Sequence, residues 1–327
     1  SYNTASGYRA MWRNTTSGYN TAVGNSTLCM NDGGLHNVAI GGVALRLNAT
    51  GCRNTASGFY AMGKNTTGCY NVANGYYALA DNTTADQNSA LGYKALCSNT
   101  TGHDNTAVGY LSLHRNTTGD YNTASGTYAL EHNVNGDMNT TIGVASLYSN
   151  ISGNCNTASG FNSLRCNTTG NASTGSGYAS LRNNTTGCYN TASGYEALKA
   201  NTTANNNTAT GYRSLRLNTT GTQNTASGAY SLYDLTTADY TTAIGFAAAA
   251  NVTTGDNNTA VGRCALGATT TGTSNTAVGM EAVLNNTTGV NNVGVGYQAA
   301  NVMTTGVNNA ATGYRALYYT TTGSTNT

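Results

Sequence analysis

The chain repeats every 17 residues from Tyr2 to Ser324, without an insertion or a deletion. The repeat makes 19 units, and residues 189–205 (Y-N-T-A-S-G-Y-E-A-L-K-A-N-T-T-A-N) are one of them. An unbroken period indicates like units stacked in one dimension. A unit this short cannot hold two helices and fits one coil of a parallel β-solenoid. We therefore predict a single continuous all-β domain over residues 1–327, a parallel β-solenoid or β-roll of about 19 coils.

Neither terminal unit carries a distinct polar cap, which an isolated solenoid needs for solubility. We therefore expect the chain to be a segment of a longer fibre, or to join other chains end to end. Only 8% of the residues are charged and the net charge is +2, too weak for a nucleic-acid-binding protein. No apolar run is long enough for a transmembrane helix. The absence of proline fits a chain in which every coil pairs with the next.

Within the unit, numbered 1 to 17 from Tyr2, position 6 is glycine in all 19 copies. A residue that stays fixed across internal copies indicates a backbone requirement, either a positive φ or the close approach of another backbone. We therefore predict a structural corner at each of these glycines. The first seven are Gly7, Gly24, Gly41, Gly58, Gly75, Gly92 and Gly109.

The rest of the unit predicts two short strands and a long turn. The segment N-T-A-V-G alternates in the manner of a strand, and Y-x-A-L at positions 7 to 10 indicates a second strand. Positions 11 to 17, typically x-x-N-T-T-G-x, hold turn residues. Leucine at position 10 and small residues at positions 4 and 9 predict a thin core. Asparagine at position 2 predicts an amide ladder, and Tyr or Phe at position 7 predicts a stacked aromatic column.

The segments N-T-A-V-G (105–109) and N-V-A-I-G (37–41) resemble the S-V-A-I-G motif of trimeric autotransporter adhesin heads. The fuller pattern N-T-A-x-G-Y-x-A-L-x-x-N-T-T-G also resembles the repeat shafts of phage and bacterial tail-fibre-like proteins. The resemblance covers nearly the whole chain, although the adhesin unit is shorter and lacks the N-T-T-G turn. It implies a parallel β-roll, possible assembly as a trimer, and a role in a fibre.

Position 13 opens an N-x-T/S sequon in 12 units, which predicts N-glycosylation on an exposed turn. The alternative is that N-T-T-G is only good turn chemistry, and the Thr-rich turns also leave O-glycosylation open. The candidate acceptors are Asn14, Asn48, Asn65, Asn82, Asn99, Asn116, Asn150, Asn167, Asn184, Asn201, Asn218 and Asn286.

The cysteines and titratable residues offer one candidate site. Cys52 and Cys69 both occupy position 17 of adjacent units, and stacking would bring them within disulfide range. No Cys/His cluster has zinc spacing, and no column of paired carboxylates exists. We therefore predict no enzymatic activity, no metal site, and no cofactor other than covalent glycans.

These features favour a non-enzymatic, extracellular structural fibre that supplies length and a repetitive, glycosylated surface. Its partners would be further copies of itself, at a cell or virion surface. One alternative is an adhesin or tail-fibre-type shaft, with tyrosines at positions 1, 7 and 8 contacting glycans or a host surface. A third hypothesis is ice binding through the threonines at positions 14 and 15.

Overall fold

The computed structural model describes residues 2–326, which form two compact units that meet in sequence between Asn162 and Ser163. Each described strand has three residues, and no helix occurs between residues 2 and 326. The strands of the first unit are β1 (Thr4–Ser6), β2 (Thr21–Val23), β3 (Val38–Ile40), β4 (Thr55–Ser57), β5 (Val72–Asn74), β6 (Ser89–Leu91), β7 (Thr106–Val108), β8 (Thr123–Ser125), β9 (Thr140–Ile142) and β10 (Thr157–Ser159). Those of the second are β11 (Thr174–Ser176), β12 (Thr191–Ser193), β13 (Thr208–Thr210), β14 (Thr225–Ser227), β15 (Thr242–Ile244), β16 (Thr259–Val261), β17 (Thr276–Val278), β18 (Val293–Val295) and β19 (Ala310–Thr312).

Consecutive strands within each unit pair in parallel, and the register shifts by one repeat each time. Thr4 of β1 lies beside Thr21 of β2, and Thr174 of β11 lies beside Thr191 of β12. Parallel pairing of successive short strands, each one coil apart, defines a parallel β-solenoid. The predicted fold class and the 17-residue coil are therefore confirmed in both units, whereas packing with other chains stays a prediction.

The core of each coil is thin and built from small side chains around one leucine. In β4, Ala56 at position 4 is fully buried, while Thr55 is exposed and Ser57 half-buried. Position 9 is buried, as at Ala61 and Ala78, and position 10 supplies the largest fully buried side chains, such as Leu79. The strand predicted in the N-T-A-V-G segment is thus confirmed over its three central residues, and so is the predicted leucine core.

The second predicted strand, at positions 7 to 10, is wrong. This segment is a turn in which positions 8 and 10 have left-handed backbones, for example Tyr60 with φ 59° and Met62 with φ 51°. Such angles exclude an extended strand. The turn still bonds to both neighbouring coils, because Tyr60 N–H donates to the Gly42 carbonyl (3.0 Å) and Met62 N–H to the Ala78 carbonyl (3.0 Å). These bonds offset the cost of left-handed non-glycine residues, which is about 1 kcal/mol or more each.

The N-T-T-G turn is hydrogen-bonded to the next coil, as the strands are. Thr66 and Thr67 both donate their backbone N–H to the carbonyl of Thr83 in the next coil, at 2.8 and 3.2 Å. The Thr66 hydroxyl donates to the same carbonyl at 2.9 Å. The turn therefore holds the stack together through its main chain and through its position-14 hydroxyl.

Candidate functional site

The asparagine side chains at position 13 form a hydrogen-bonded column along the stack. The Asn65 amide nitrogen donates to Oδ1 of Asn48 in the preceding coil (2.7 Å) and to the Gly68 carbonyl of its own coil (3.0 Å). The same pair of bonds recurs at Asn82 and Asn116. In the first unit the amide-to-amide bonds run unbroken from 14 to 150. Each amide thus links its coil to the preceding one and ties its own turn.

A second asparagine column, at position 2, closes the coil from the other side. The Asn54 amide nitrogen donates to the Gly68 carbonyl (2.7 Å), which also accepts from Asn65. The Asn54 Oδ1 accepts the backbone N–H of Asn71 in the next coil at 2.9 Å. One carbonyl at position 16 therefore joins the start and the end of a coil. The predicted ladder at position 2 exists, but its main rung is a backbone N–H bound to a side-chain oxygen.

The position-13 sequons are placed where a glycan cannot be attached in this fold. Asn48, Asn65 and Asn82 are 0% exposed, and their Nδ2 atoms make the bonds described above. A sugar on Nδ2 would break these bonds and need space that the stacked coils fill. The predicted N-glycosylation is therefore incompatible with the packing at eleven positions; the remaining one, Asn14, is half-buried. The eleven are Asn48, Asn65, Asn82, Asn99, Asn116, Asn150, Asn167, Asn184, Asn201, Asn218 and Asn286.

The corner glycines meet both requirements predicted for position 6. Gly109 has φ 132°, and a Cβ on it would lie 2.6 Å from the carbonyl oxygen of Gly126 in the next coil. Gly7 has φ 126° and the same close neighbour, with 2.5 Å to the oxygen of Gly24. The position-6 glycines of successive coils therefore stack directly on one another, with no space for a side chain between them. The same left-handed geometry holds at the other predicted corners, Gly24, Gly41, Gly58, Gly75 and Gly92.

Cys52 and Cys69 lie in adjacent coils, as the sequence predicts, and the structure holds both as free thiols. The Cys52 backbone N–H points at the Cys69 sulfur, 3.0 Å away. Burial raises the pKa of the Cys69 thiol above its usual value of 9.0, so little thiolate is present at neutral pH. Their disulfide stays a prediction.

Mild oxidation above pH 8.5 is expected to link Cys52 to Cys69, because adjacent coils hold the two sulfurs together and alkaline pH supplies thiolate. Peptide mapping by mass spectrometry should then recover the linked peptide, with both thiols protected from alkylation. Cys264, which has no cysteine in the matching position of a neighbouring coil, serves as control and should stay alkylatable. Full alkylation of Cys52 and Cys69 after oxidation would contradict the pairing.

The aromatic column at position 7 stacks as predicted. Phe59, Tyr76, Tyr93 and Tyr110 follow one another with ring centroids 5.7, 5.4 and 5.2 Å apart and nearly parallel planes. These rings are 41–48% exposed. Because each ring covers the face of the next, the column presents mainly ring edges to the solvent.

Two ionic clusters each join side chains from two neighbouring coils. In the first, His103 Nδ1 lies 2.8 Å from Asp104 Oδ2 and its Nε2 lies 3.2 Å from Asp120 Oδ2. The hydrogen bond to Asp104 raises the pKa of His103 above 6.5. All three side chains are 30–42% exposed. The arrangement resembles a surface ion pair that links two coils more than a catalytic centre.

The second cluster surrounds Glu196, whose side chain is only 7% exposed. Its Oε1 lies 2.6 Å from Lys199 Nζ, and its Oε2 lies 3.1 and 2.8 Å from the Nε atoms of Arg213 and Arg216. Burial raises the pKa of this carboxyl, but the hydrogen bonds from Lys199 and Arg216 outweigh burial and lower it to about 2. Glu196 therefore stays ionised and joins two coils.

Glu196→Gln is expected to lower the free energy of unfolding at pH 7 by about 2 kcal/mol, because the three cations lose their shared partner. The depressed pKa makes this stabilisation present above pH 4.5 and lost as the pH falls towards 2. Thermal melts should therefore separate the two proteins at pH 7 and converge near pH 2. Glu281→Gln is the control, since Glu281 lies 3.8 Å from one arginine; an equal loss in both variants would contradict the assignment.

Sequence reasoning missed these clusters, although the repeat contains a signal for them. His103 and Asp120 are 17 residues apart, as are Glu196 and Arg213. In a stack with this period, such residues are neighbours. The burial of position 13 also had a signal, because Leu235, Val252 and Met303 occupy the same column.

Across residues 2–326, no helix has the length and apolar character needed to cross a membrane, and no group of three or more His, Cys, Asp or Glu side chains is placed to hold a metal. The resemblance to adhesin heads and tail-fibre shafts stays a prediction. No protein-family model and no curated protein matches this sequence.

Proposed function

We propose that this chain is a non-enzymatic structural protein, a β-solenoid shaft that assembles with further copies of itself into an extracellular fibre. The observation that carries the proposal is the buried position-13 amide column, unbroken from Asn14 to Asn150 in the first unit. Because each amide in such a column is hydrogen-bonded to the neighbouring coil, every coil offers the same donors and acceptors to the next one, and bending between coils is resisted. Placement at a cell or virion surface is part of the proposal and follows from the resemblance to fibre shafts.

The outward face of the β-strands supports self-association. Positions 3 and 5 point away from the core, and in the first unit many of them are exposed apolar side chains: Val23, Val38, Ile40, Val72, Leu91, Val108 and Ile142. Ile40 is 46% exposed and Ile142 is 55% exposed. Extended apolar surface on a weakly charged protein marks an interaction site. A second copy of this chain is the occupant that we propose, because the same face recurs on every copy.

Sedimentation velocity and negative-stain electron microscopy of the purified chain test this proposal. We expect filaments or large assemblies that dissociate in the double variant Ile40→Lys/Val108→Lys, which places charges on the strand face. The matched control Thr101→Lys/Thr118→Lys adds the same charges on exposed turns and should still assemble. A native chain that stays a compact monomer would contradict self-assembly, and equal dissociation of the control would contradict the strand face as the contact.

One observation favours ice binding as a second candidate function. The position-14 hydroxyls named in that hypothesis bond to the next coil, as Thr66 does, so they are not free to bind ice. Position 3, however, presents seven consecutive threonines in register on the strands of the second unit: Thr174, Thr191, Thr208, Thr225, Thr242, Thr259 and Thr276. Thermal hysteresis that is abolished by Thr208→Tyr/Thr225→Tyr would support this function, and no hysteresis in the native chain would remove it.

A further inference from the structure

Positive charge is concentrated in one part of the second unit. Residues 163–233 contain five cationic side chains and one carboxylate, hence a net charge of +4, whereas residues 234–327 of the same unit contain two cations and four carboxylates, a net charge of −2. The carboxylate is Glu196. The cations are Arg165, Arg182, Lys199, Arg213 and Arg216. We name these five residues the basic column.

Four of the five cations occupy position 11 of successive coils. Backbone N–H groups of one coil bond to the carbonyls of Arg182, Lys199 and Arg216 in the next coil, at 3.0, 3.1 and 3.0 Å. Neighbouring coils of a parallel β-structure are roughly 4.8 Å apart, so four charges extend over roughly 14 Å. This length exceeds that of a single small anion and suits a polymer with repeated negative charges.

Glu196 does not neutralise the basic column. Its two oxygens bind Lys199, Arg213 and Arg216, so one negative charge meets three positive charges. Arg182 is half-buried, and its buried Nε has no hydrogen-bond partner. The basic column therefore keeps an excess of positive charge after its ion pairs with Glu196 are counted.

The position-7 tyrosines adjoin the basic column at Arg213, which contacts two of their rings. The ring centroids of Tyr178, Tyr195 and Tyr212 are 5.0 and 5.2 Å apart, with planes within 12° of parallel. The Arg213 guanidinium lies 5.1 Å from the Tyr212 ring centroid. Single-stranded nucleic acids bind by stacking bases on open aromatic faces, and here the rings cover one another. Exposed ring edges and phenol hydroxyls suit a hydroxyl-rich ligand instead.

We propose that the basic column and the adjoining tyrosines form a binding site for an anionic polysaccharide that carries sulfate or carboxylate groups. The sugar chain runs along the stack, its anions meet the position-11 cations, and its hydroxyls bond to the tyrosine edges. Arginine binds such groups through two parallel N–H donors, which fixes the orientation of the polymer. This site does not depend on the proposed shaft function, because all of its residues lie in the second unit of one chain and no assembly with other copies is needed to form it.

Binding of the full chain to heparin, alginate, neutral dextran and a single-stranded DNA oligonucleotide, measured by interferometry at low and physiological salt, tests the proposal. We expect heparin or alginate to bind with an affinity that falls as salt rises, and dextran not to bind. Arg182→Gln should weaken binding about tenfold, and Arg165→Gln/Arg182→Gln about a hundredfold. Arg182→Lys, which keeps the charge, should weaken binding less than Arg182→Gln.

The matched controls are Arg46→Gln and Arg46→Gln/Arg53→Gln. Arg46 also occupies position 11, but the neighbouring coils carry Cys29 and Gly63 there, so it stands alone. We expect these controls to bind within twofold of the native chain, with circular dichroism confirming that every variant is folded. Absence of binding to both anionic polysaccharides at low salt would overturn the proposal. DNA binding as tight as that of the polysaccharides, or equal losses in the Arg46 controls, would also overturn it.

Discussion

Gly109→Ala is expected to lower the free energy of unfolding of its coils by about 3 kcal/mol or more. Two costs combine at this position. An alanine at φ 132° is strained, and its Cβ would lie 2.6 Å from the Gly126 carbonyl oxygen, which belongs to backbone and cannot rotate away. The neighbouring coils stack glycine on glycine in the same column, so the clash cannot be relieved by a small shift of one coil.

Gly33→Ala is the matched control for this prediction. A Cβ on Gly33 would meet only the Thr50 Cγ2 atom at 3.6 Å, an ordinary contact. We expect its stability to stay within about 0.5 kcal/mol of the native chain. Urea unfolding with hydrogen exchange resolved by peptide measures both variants, and the coils around 109 should lose protection first. Equal stability of the two variants would contradict the role of the position-6 corner.

Asn116→Ala is expected to destabilise the chain by about 3–5 kcal/mol, because it removes three buried hydrogen bonds at once. The Asn116 nitrogen donates to Asn99 Oδ1 and to the Gly119 carbonyl, both at 2.8 Å, and its Oδ1 accepts from Asn133 at 2.7 Å. Alanine leaves these buried groups short of partners and also opens a cavity.

Thr118→Ala controls for the sequence context, since Thr118 lies two residues away on the exposed side of the same turn. We expect a change of less than about 0.5 kcal/mol. Asn116→Leu tests the mechanism, because leucine is already accommodated at this position as Leu235. It fills the cavity without restoring the bonds and should fall between alanine and the native residue. Thermal and urea melts compare the series, and a neutral Asn116→Ala would contradict the buried ladder.

The sequence predicts those parts of the coil that local patterns determine. The strand at positions 3 to 5 follows from alternation, and its buried centre, for example Ala107, follows from the small residue there. The buried leucine column and the corner glycines can be predicted just as directly, because a residue type that recurs at the same position of successive repeats indicates the same structural role in each coil. Stacking of like residues then places the Tyr76 and Tyr93 rings face to face.

The left-handed backbone at positions 8 and 10 and the burial of the position-13 amide could not be predicted from such local patterns. Leu79 has φ 50°, an angle that leucine rarely adopts alone and that hydrogen bonds to neighbouring coils impose here. Asn65 belongs to an N-T-T-G sequence typical of exposed turns, yet its amide is fully buried as a ladder rung. Local chemistry favours exposure of that side chain to solvent, but the neighbouring coils supply hydrogen-bond partners for both amide atoms of Asn65.

The most direct test of a shaft built on buried amide ladders is a cryo-electron microscopy reconstruction of the assembly that the native chain forms. We expect filaments whose coils repeat at roughly 4.8 Å along the axis, with no density beyond the amides of Asn65, Asn82 and Asn99. Sugar density branching from these three asparagines, or particles without a coil repeat, would contradict the account.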